Sequence, residues 1–98
     1  ISPETLTQFT TRGTVPGSSR ALGWDTPSEN SSAGTLMSRR AYGHTGFTGT
    51  SMWMDPETGV FVIILTNRVH PTRENERFLP YRARFHDAVM TDLSASKT

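Results

Sequence analysis

Hydrophobic residues are unevenly spread along the chain, and the densest run predicts a buried β-strand. Residues 60–66 read VFVIILT, a continuous stretch of β-branched, aromatic and aliphatic side chains that is typical of strands covered on both faces. Residues 47–54 are predicted to form the preceding strand, because DPETG at residues 55–59 has the proline and glycine of a tight turn. The pattern therefore predicts an antiparallel hairpin in the second half of the chain.

Helical spacing occurs near both ends of the chain. Ser2 and Pro3 match an N-cap and a first helical position, and Glu4 suits the positive end of a helix dipole, which predicts a short N-terminal helix. After the hairpin, five apolar residues recur at the spacing of one helical face: Phe78, Tyr81, Phe85, Ala88 and Val89. We expect a C-terminal helix that packs this face on the hairpin.

The first half of the chain has weaker signals. Residues 21–24 (ALGW) are predicted as one further short strand, and the polar residues 25–38 as an exposed excursion with Leu36 and Met37 as anchors at its end. The predicted fold class is α+β: an antiparallel sheet hairpin plus one further strand, with a C-terminal helix and a short N-terminal helix. A strand covered on both faces needs more elements than these, so we expect residues 1–98 to be one partial domain of a larger unit, with residues 94–98 as a frayed tail.

Composition and charge exclude several classes of function. Ten Lys and Arg residues against nine Asp and Glu give a net charge of +1, and no basic block marks a nucleic-acid surface. No apolar run reaches the roughly 18 residues of a membrane span. Since cysteine is absent and the three histidines match no metal-ligand spacing, we expect neither a metal nor another cofactor. The composition does not indicate a cellular location.

The stretch AYGHTGFTGTSMWMD at residues 41–55 is unusual for a packing strand, because it holds three glycines, four Ser and Thr residues and one histidine. Alternation along a strand would place four of these on one face: His44, Gly46, Thr48 and Thr50. Such a face is suited to hydrogen bonding, and glycines allow a ligand to lie against the strand backbone. We therefore predict a binding edge here.

Three segments together resemble a known family. They are LGWD at residues 22–25, GHTGFTGTSMWMDPETGVFVIILTNRVHPT at residues 43–72 and RARFHDAVM at residues 82–90. They are similar to the C-terminal part of serine β-lactamase-like hydrolases, the group of class C β-lactamases, D-alanyl-D-alanine carboxypeptidases and related esterases. The resemblance covers nearly the whole chain and implies the α/β sandwich of that family.

The resemblance also implies roles for four residues. His44, Thr45 and Gly46 correspond to the family's third active-site motif, K-T-G, with histidine in the place of lysine. On that mapping His44 tunes the electrostatics of the site, Thr45 bonds a substrate carboxylate or carbonyl, and Gly46 keeps the strand open. The backbone N–H of Phe47 would be one of two oxyanion-hole donors.

The family's nucleophile motif, S-x-x-K, has no credible match. SASK at residues 94–97 fits by letter but follows the last predicted helix, and SEN at residues 28–30 fits the second motif but lies in a polar excursion. We therefore expect no nucleophile in this chain and no activity from the chain alone. Its expected partners are the remainder of the catalytic domain and, in the complete enzyme, a small acyl substrate.

Plainer interpretations apply to the other chemically capable residues. His70 and His86 are expected to be a loop residue and a solvated helix position, and Arg39 and Arg40 a solvated pair. Trp24 and Trp53 are expected to pack at the sheet, with lining of a substrate pocket as the alternative. Turn chemistry explains Asp55 and Glu57, which with Asp25 are the alternative acid/base set. His44 itself would be an ordinary surface residue if the family resemblance were set aside.

A second class of function stays open at this point. The chain could be a non-catalytic α+β module for binding or assembly, derived from the same family and pairing strand edges to form a homo-oligomer. Cooperative unfolding of the isolated chain would favour this alternative.

Overall fold

The computed structural model describes residues 1–29, 31–67 and 79–96. Its elements in chain order are α1 (Pro3–Thr10), β1 (Tyr42–Thr45), β2 (Ser51–Asp55), β3 (Val60–Ile64) and α2 (Leu79–Ser96). The strands form one antiparallel sheet in the order β1-β2-β3. The predicted α+β class, with its sheet and two helices, is confirmed.

Local sequence signals set the ends of α1 and the β2–β3 turn. Ser2 is the N-cap of α1, and its Oγ accepts a hydrogen bond of 3.2 Å from the backbone N–H of Thr5. In the turn, Gly59 has a φ of 73° and donates its N–H to the Asp55 carbonyl at 2.9 Å. The predicted N-cap and the predicted hairpin are therefore confirmed.

The sheet has one buried face and one exposed face. The buried face has Trp53 of β2 at its centre, paired with Gly43 of β1 and Val62 of β3. The core cluster around Trp53 consists of Ala33, Met37, Ala41, Val62, Ile64 and Met90. The sheet, α2 and residues 33–41 each contribute side chains to this cluster. Burial of the cluster therefore stabilises the packing of these three parts against one another.

Residues 60–66 were expected to be covered on both faces, and this expectation is wrong for the part of the chain that the structure describes. The strand ends at Ile64, and only Val62 and Ile64 are buried. The alternate side chains Phe61, Ile63 and Leu65 are 68%, 52% and 79% exposed. The apolar run therefore supplies one buried face and one apolar surface.

The two predictions for the first half of the chain are also wrong. Residues 21–24 form no strand; the only ladder contacts there are single bridges from Asp25 to Arg20 and to Gly43. Residues 25–38 are not simply an exposed excursion, because Thr26 and Ala33 are buried. Of the two expected anchors, Met37 is buried and Leu36 is exposed. Ala33 and Met37 belong to the core cluster of Trp53, which the Gly- and Ser-rich composition of this segment conceals.

The C-terminal helix is present, but it buries a different face from the one predicted. Arg82, His86 and Met90 are buried at i, i+4 and i+8 positions, whereas Tyr81 and Phe85 are exposed. Ala88 is exposed too, Val89 is half-buried, and Phe78 lies outside the described residues. The apolar pattern failed here because two polar residues take core positions of α2.

Candidate functional site

The His-Thr-Gly motif lies at the end of β1 and the start of the turn to β2. His44 is exposed and shares the open sheet face with Met52 and Ile63, its cross-strand neighbours. Its Nδ1 lies 2.7 Å from the carbonyl oxygen of Thr45, so this nitrogen carries the proton in the tautomer that makes the hydrogen bond. Thr45 and Gly46 are half-buried.

The chain turns directly after this motif, so the predicted continuous strand over residues 47–54 is wrong. The turn closes through a 2.7 Å hydrogen bond from the Gly46 N–H to the Thr50 carbonyl and a 3.2 Å bond from the Gly49 N–H to the Gly46 carbonyl. Gly49 has a φ of 112°, which other residues adopt only with strain. Phe47, at the turn, is 62% exposed. Thr48 and Thr50 therefore do not continue the face of His44.

The outer edge of β1 is partly covered. Asp25 pairs with Gly43 there, through an N–H to carbonyl bond of 2.8 Å in one direction and 3.0 Å in the other. Since backbone groups alternate in direction along a strand, those of Thr45 face the same outer edge as those of Gly43. No described strand pairs with β1 at Thr45. Among the described residues, the edge is thus paired with Asp25 beside Gly43 and has no strand partner beside Thr45, whose carbonyl oxygen accepts from His44 Nδ1.

Gly43 is a glycine for a steric reason. A Cβ atom built at this position would lie closer than 3.0 Å to the carbonyl oxygen of Met52 and to the indole ring of Trp53. The Trp53 ring therefore rests against the backbone of β1, and its Nε1 donates a 2.9 Å hydrogen bond to the Ser32 hydroxyl. The first residue of the GHTG run serves packing, the next two end the strand, and the last begins the turn.

Two polar side chains of α2 hold the loops around this edge. Arg82 is buried, and its Nη2 donates to the Gly46 carbonyl at 2.9 Å. Asp87 accepts hydrogen bonds of 2.7 Å and 3.2 Å from the backbone N–H groups of Thr35 and Leu36. Sequence analysis missed both residues, because their partners lie tens of residues away in the chain. The available signal was their helical spacing from buried Met90, which follows Arg82 by eight residues and Asp87 by three.

His86 was expected to be solvated, and this expectation is wrong, because its side chain is fully buried. Its Nδ1 lies 2.8 Å from the Arg82 carbonyl, one helical turn back. Burial lowers the pKa of His86 below its usual value of 6.5, and contacts with the backbone of Arg82 and Ser32 offset this only in part. The neutral imidazole is therefore the form that the fold accommodates.

A pH dependence of stability follows from this burial. Because the pKa of His86 is lower in the folded than in the unfolded state, its contribution to stability is fully present above pH 6.5 and is lost as the pH falls from there through the lower folded-state pKa. The free energy of unfolding should drop by up to about 1.4 kcal/mol per pH unit on this account. Urea titrations between pH 7.5 and 5.5 measure the slope.

His86→Gln should flatten this slope, because it removes the titrating imidazole. An equal slope in wild type and His86→Gln would show that His86 is not the titrating group.

The alternative acid/base residues have structural partners. Asp55 is buried and accepts from the Ser38 N–H at 2.7 Å and from its hydroxyl at 2.6 Å. Asp25 accepts from the Ser19 hydroxyl at 2.6 Å and from the Thr26 N–H at 2.9 Å. The backbone N–H of Glu57, whose side chain is exposed, also donates to the Asp55 carboxylate, at 3.0 Å. These carboxylates therefore organise loops.

The remaining sequence predictions concern two tryptophans, two arginines and three residues that the structure does not describe. Trp53 is a core residue, Trp24 packs edge-on against Tyr42 at a centroid distance of 5.2 Å, and Arg39 and Arg40 are exposed. Asn30 of the SEN segment, His70, and Lys97 of the SASK segment lie outside the described residues.

Neither a metal cluster nor a membrane span is present in the described ranges. No group of three or more His, Asp or Glu residues is arranged to hold a metal ion there. Neither of the two helices is long and apolar enough to cross a bilayer over its described residues.

Comparison with known proteins defines the family. The Beta-lactamase family model matches residues 2–85. The chain is 36% identical over 80 residues to proteins named "Putative D-alanyl-D-alanine carboxypeptidase" from Salmonella gallinarum, Salmonella paratyphi B and Salmonella newport. Each match covers 79% of this chain and 18% of the relative. No solved structure matches this chain.

The chain belongs to the β-lactamase family, since the family model covers most of its length. The resemblance drawn from its motifs is confirmed at this level. The chain spans 18% of the length of these curated relatives, so it corresponds to a limited part of their domains.

Proposed function

We propose that residues 1–98 form the C-terminal part of a serine β-lactamase-like hydrolase and supply one wall of its acyl-transfer site. In that reaction a serine oxygen attacks the carbonyl carbon of a lactam, peptide or ester, the leaving group departs, and water hydrolyses the acyl-enzyme. His44, Thr45 and Gly46 are the third motif in this proposal, and the Phe47 N–H is an oxyanion donor. The nucleophile comes from outside these residues.

The single observation that carries the proposal is the position of the His-Thr-Gly motif in a chain of this family. In the part of the chain that the structure describes, it lies at the end of an edge strand that pairs with Asp25 at Gly43 and has no strand partner at Thr45. An extended substrate can lie along such an edge and bond to its backbone. The carboxypeptidase names of the relatives favour substrates that end in D-alanyl-D-alanine.

The first test is covalent labelling of the protein at its natural full length. An acylating lactam should add one acyl group to a serine outside residues 1–98, and the full-length protein should hydrolyse a chromogenic lactam, an aryl ester or a D-alanyl-D-alanine peptide. The isolated 98-residue chain should be neither labelled nor active, because it lacks the nucleophile.

Ser94→Ala in the full-length protein is the matched control, since Ser94 begins the segment that fits S-x-x-K by letter. This variant should label and turn over like the wild type. Hydrolysis by the isolated chain in proportion to its concentration, or an acyl group on Ser94, would refute the proposal.

The exposed apolar side chains of β3 favour a second candidate, a non-catalytic assembly module. Phe61, Ile63 and Leu65 leave an apolar surface on the sheet that a partner would cover. In the first proposal the partner is the remainder of the catalytic domain, and in the second it is another copy of the chain. A folded dimer of the isolated chain, with no labelling of the full-length protein, would favour the module.

A further inference from the structure

The turn that follows the His-Thr-Gly motif is held from three sides. Within the turn, the Gly46 N–H bonds to the Thr50 carbonyl and the Gly49 N–H bonds to the Gly46 carbonyl. The hydroxyl of Thr66, beyond β3, donates to the Gly49 carbonyl at 2.7 Å. The third contact comes from Arg82 of α2. The turn is therefore fixed to elements on both sides of it.

Arg82 joins α2 to both ends of this turn. Its Nη2 lies 2.9 Å from the Gly46 carbonyl oxygen and 3.4 Å from that of Thr50, and the side chain is only 6% exposed. Hydrogen bonds from an ionised donor are stronger than neutral ones, and more so away from water. The guanidinium therefore acts as a clamp: it holds the carbonyl of Gly46 at the start of the turn and that of Thr50 at its end.

The clamp also sets the direction of the next N–H group. The Gly46 carbonyl and the Phe47 N–H belong to one peptide unit, which is planar and, when trans, has these two groups pointing in opposite directions. Because the carbonyl faces Arg82, the N–H of Phe47 points away from α2. A cation on the carbonyl also polarises the unit and makes its N–H a better donor.

We propose that Arg82 is a positioning residue for acyl transfer, which orients the Phe47 N–H toward the developing oxyanion. This inference rests on the proposed function of Phe47. Arg82 touches neither substrate nor nucleophile in this proposal and acts through the Gly46–Phe47 peptide unit. Its effect should therefore fall on the transition state rather than on substrate binding.

The variants are Arg82→Met and Arg82→Lys in the full-length protein, with Arg84→Met as the control. Arg84 lies in the same helix, is exposed and packs over the Tyr81 ring at 5.4 Å, away from the turn. Arg82→Met should lower kcat about 10- to 100-fold with KM within about twofold of wild type. Arg82→Lys keeps the charge without the planar fork and should recover part of kcat.

A readout independent of activity is hydrogen–deuterium exchange of the peptide that contains Gly46 and Gly49. Exchange there should accelerate about tenfold or more in Arg82→Met and stay unchanged in Arg84→Met. Unchanged exchange at the turn, or a kcat equal to that of Arg84→Met, would overturn the inference.

The two readouts separate this inference from the proposed function. If the wild-type protein has no hydrolytic activity, the proposed function and the positioning role of Arg82 are both refuted. Faster exchange in Arg82→Met would in that case still show that Arg82 holds the turn. If Arg82→Met does not fold, Arg82→Lys decides: normal kcat and normal exchange in that variant would overturn the inference.

Discussion

Replacing Gly43 with alanine should destabilise the chain by about 3 kcal/mol, the upper end of the usual cost of overpacking. The added Cβ would collide with the Met52 carbonyl oxygen and the Trp53 indole ring. The carbonyl oxygen belongs to the neighbouring strand and can move only if the β1–β2 ladder opens. The indole is fully buried and bonded to Ser32, so it has no free space to enter.

Gly13→Ala is the matched control for this substitution. A Cβ at Gly13 meets only the Arg20 carbonyl oxygen, at the ordinary contact distance of 3.5 Å, and the residue has no positive φ. Its effect should stay within about 0.5 kcal/mol. Urea unfolding of the two variants and the wild type gives the comparison, and equal midpoints for Gly43→Ala and Gly13→Ala would show that Trp53 does not pack on β1 in this way.

The Gly43 result also bears on how far the sequence predicts this fold. The signals at residues 2–4 and 55–59 are local, and both the helix start and the hairpin were predicted correctly from them. Gly43 was counted with Gly46 and Gly49 as a sign of close ligand approach. Its actual neighbour is Trp53, and that contact depends on strand register, which sequence patterns do not specify.

The turn at residues 46–50 was missed, although Gly46 and Gly49 mark it. The two glycines were assigned to an extended strand because the alternation of polar residues continued through them. A positive φ at Gly49 and a bond from Gly46 to Thr50 end the strand instead. A pair of closely spaced glycines is also a turn signal, and the structure favours that interpretation.

Hydrophobic spacing did not predict the buried face of α2, because two of its buried positions hold polar residues, Arg82 and His86. Both are buried because they bond to backbone carbonyls, Arg82 to the turn and His86 to its own helix. The candidate site could thus be located from the His-Thr-Gly motif, while its support by α2 required the three-dimensional structure.

Replacing Phe47 with proline in the full-length protein should lower kcat/KM by about 10²- to 10³-fold. Proline removes the backbone N–H that we propose as an oxyanion donor. Phe47 does not have a positive φ, the conformation that proline could not adopt. The hydrogen bonds that the Gly46 and Gly49 N–H groups donate within the turn remain possible in the variant.

Phe47→Ala is the matched control, since it removes the exposed phenyl ring and keeps the N–H. This variant should retain kcat/KM within about threefold of wild type, as expected for a surface side chain. Exchange of the Gly46 and Gly49 amides should be the same in both variants, which shows that the turn itself persists.

The ratio of kcat/KM between Phe47→Ala and Phe47→Pro therefore tests the central claim, that the end of β1 is one wall of an acyl-transfer site. With intact turns in both variants, we predict a ratio of about 100 or more. A ratio near one would contradict the claim, because the N–H of Phe47 would then take no part in the reaction.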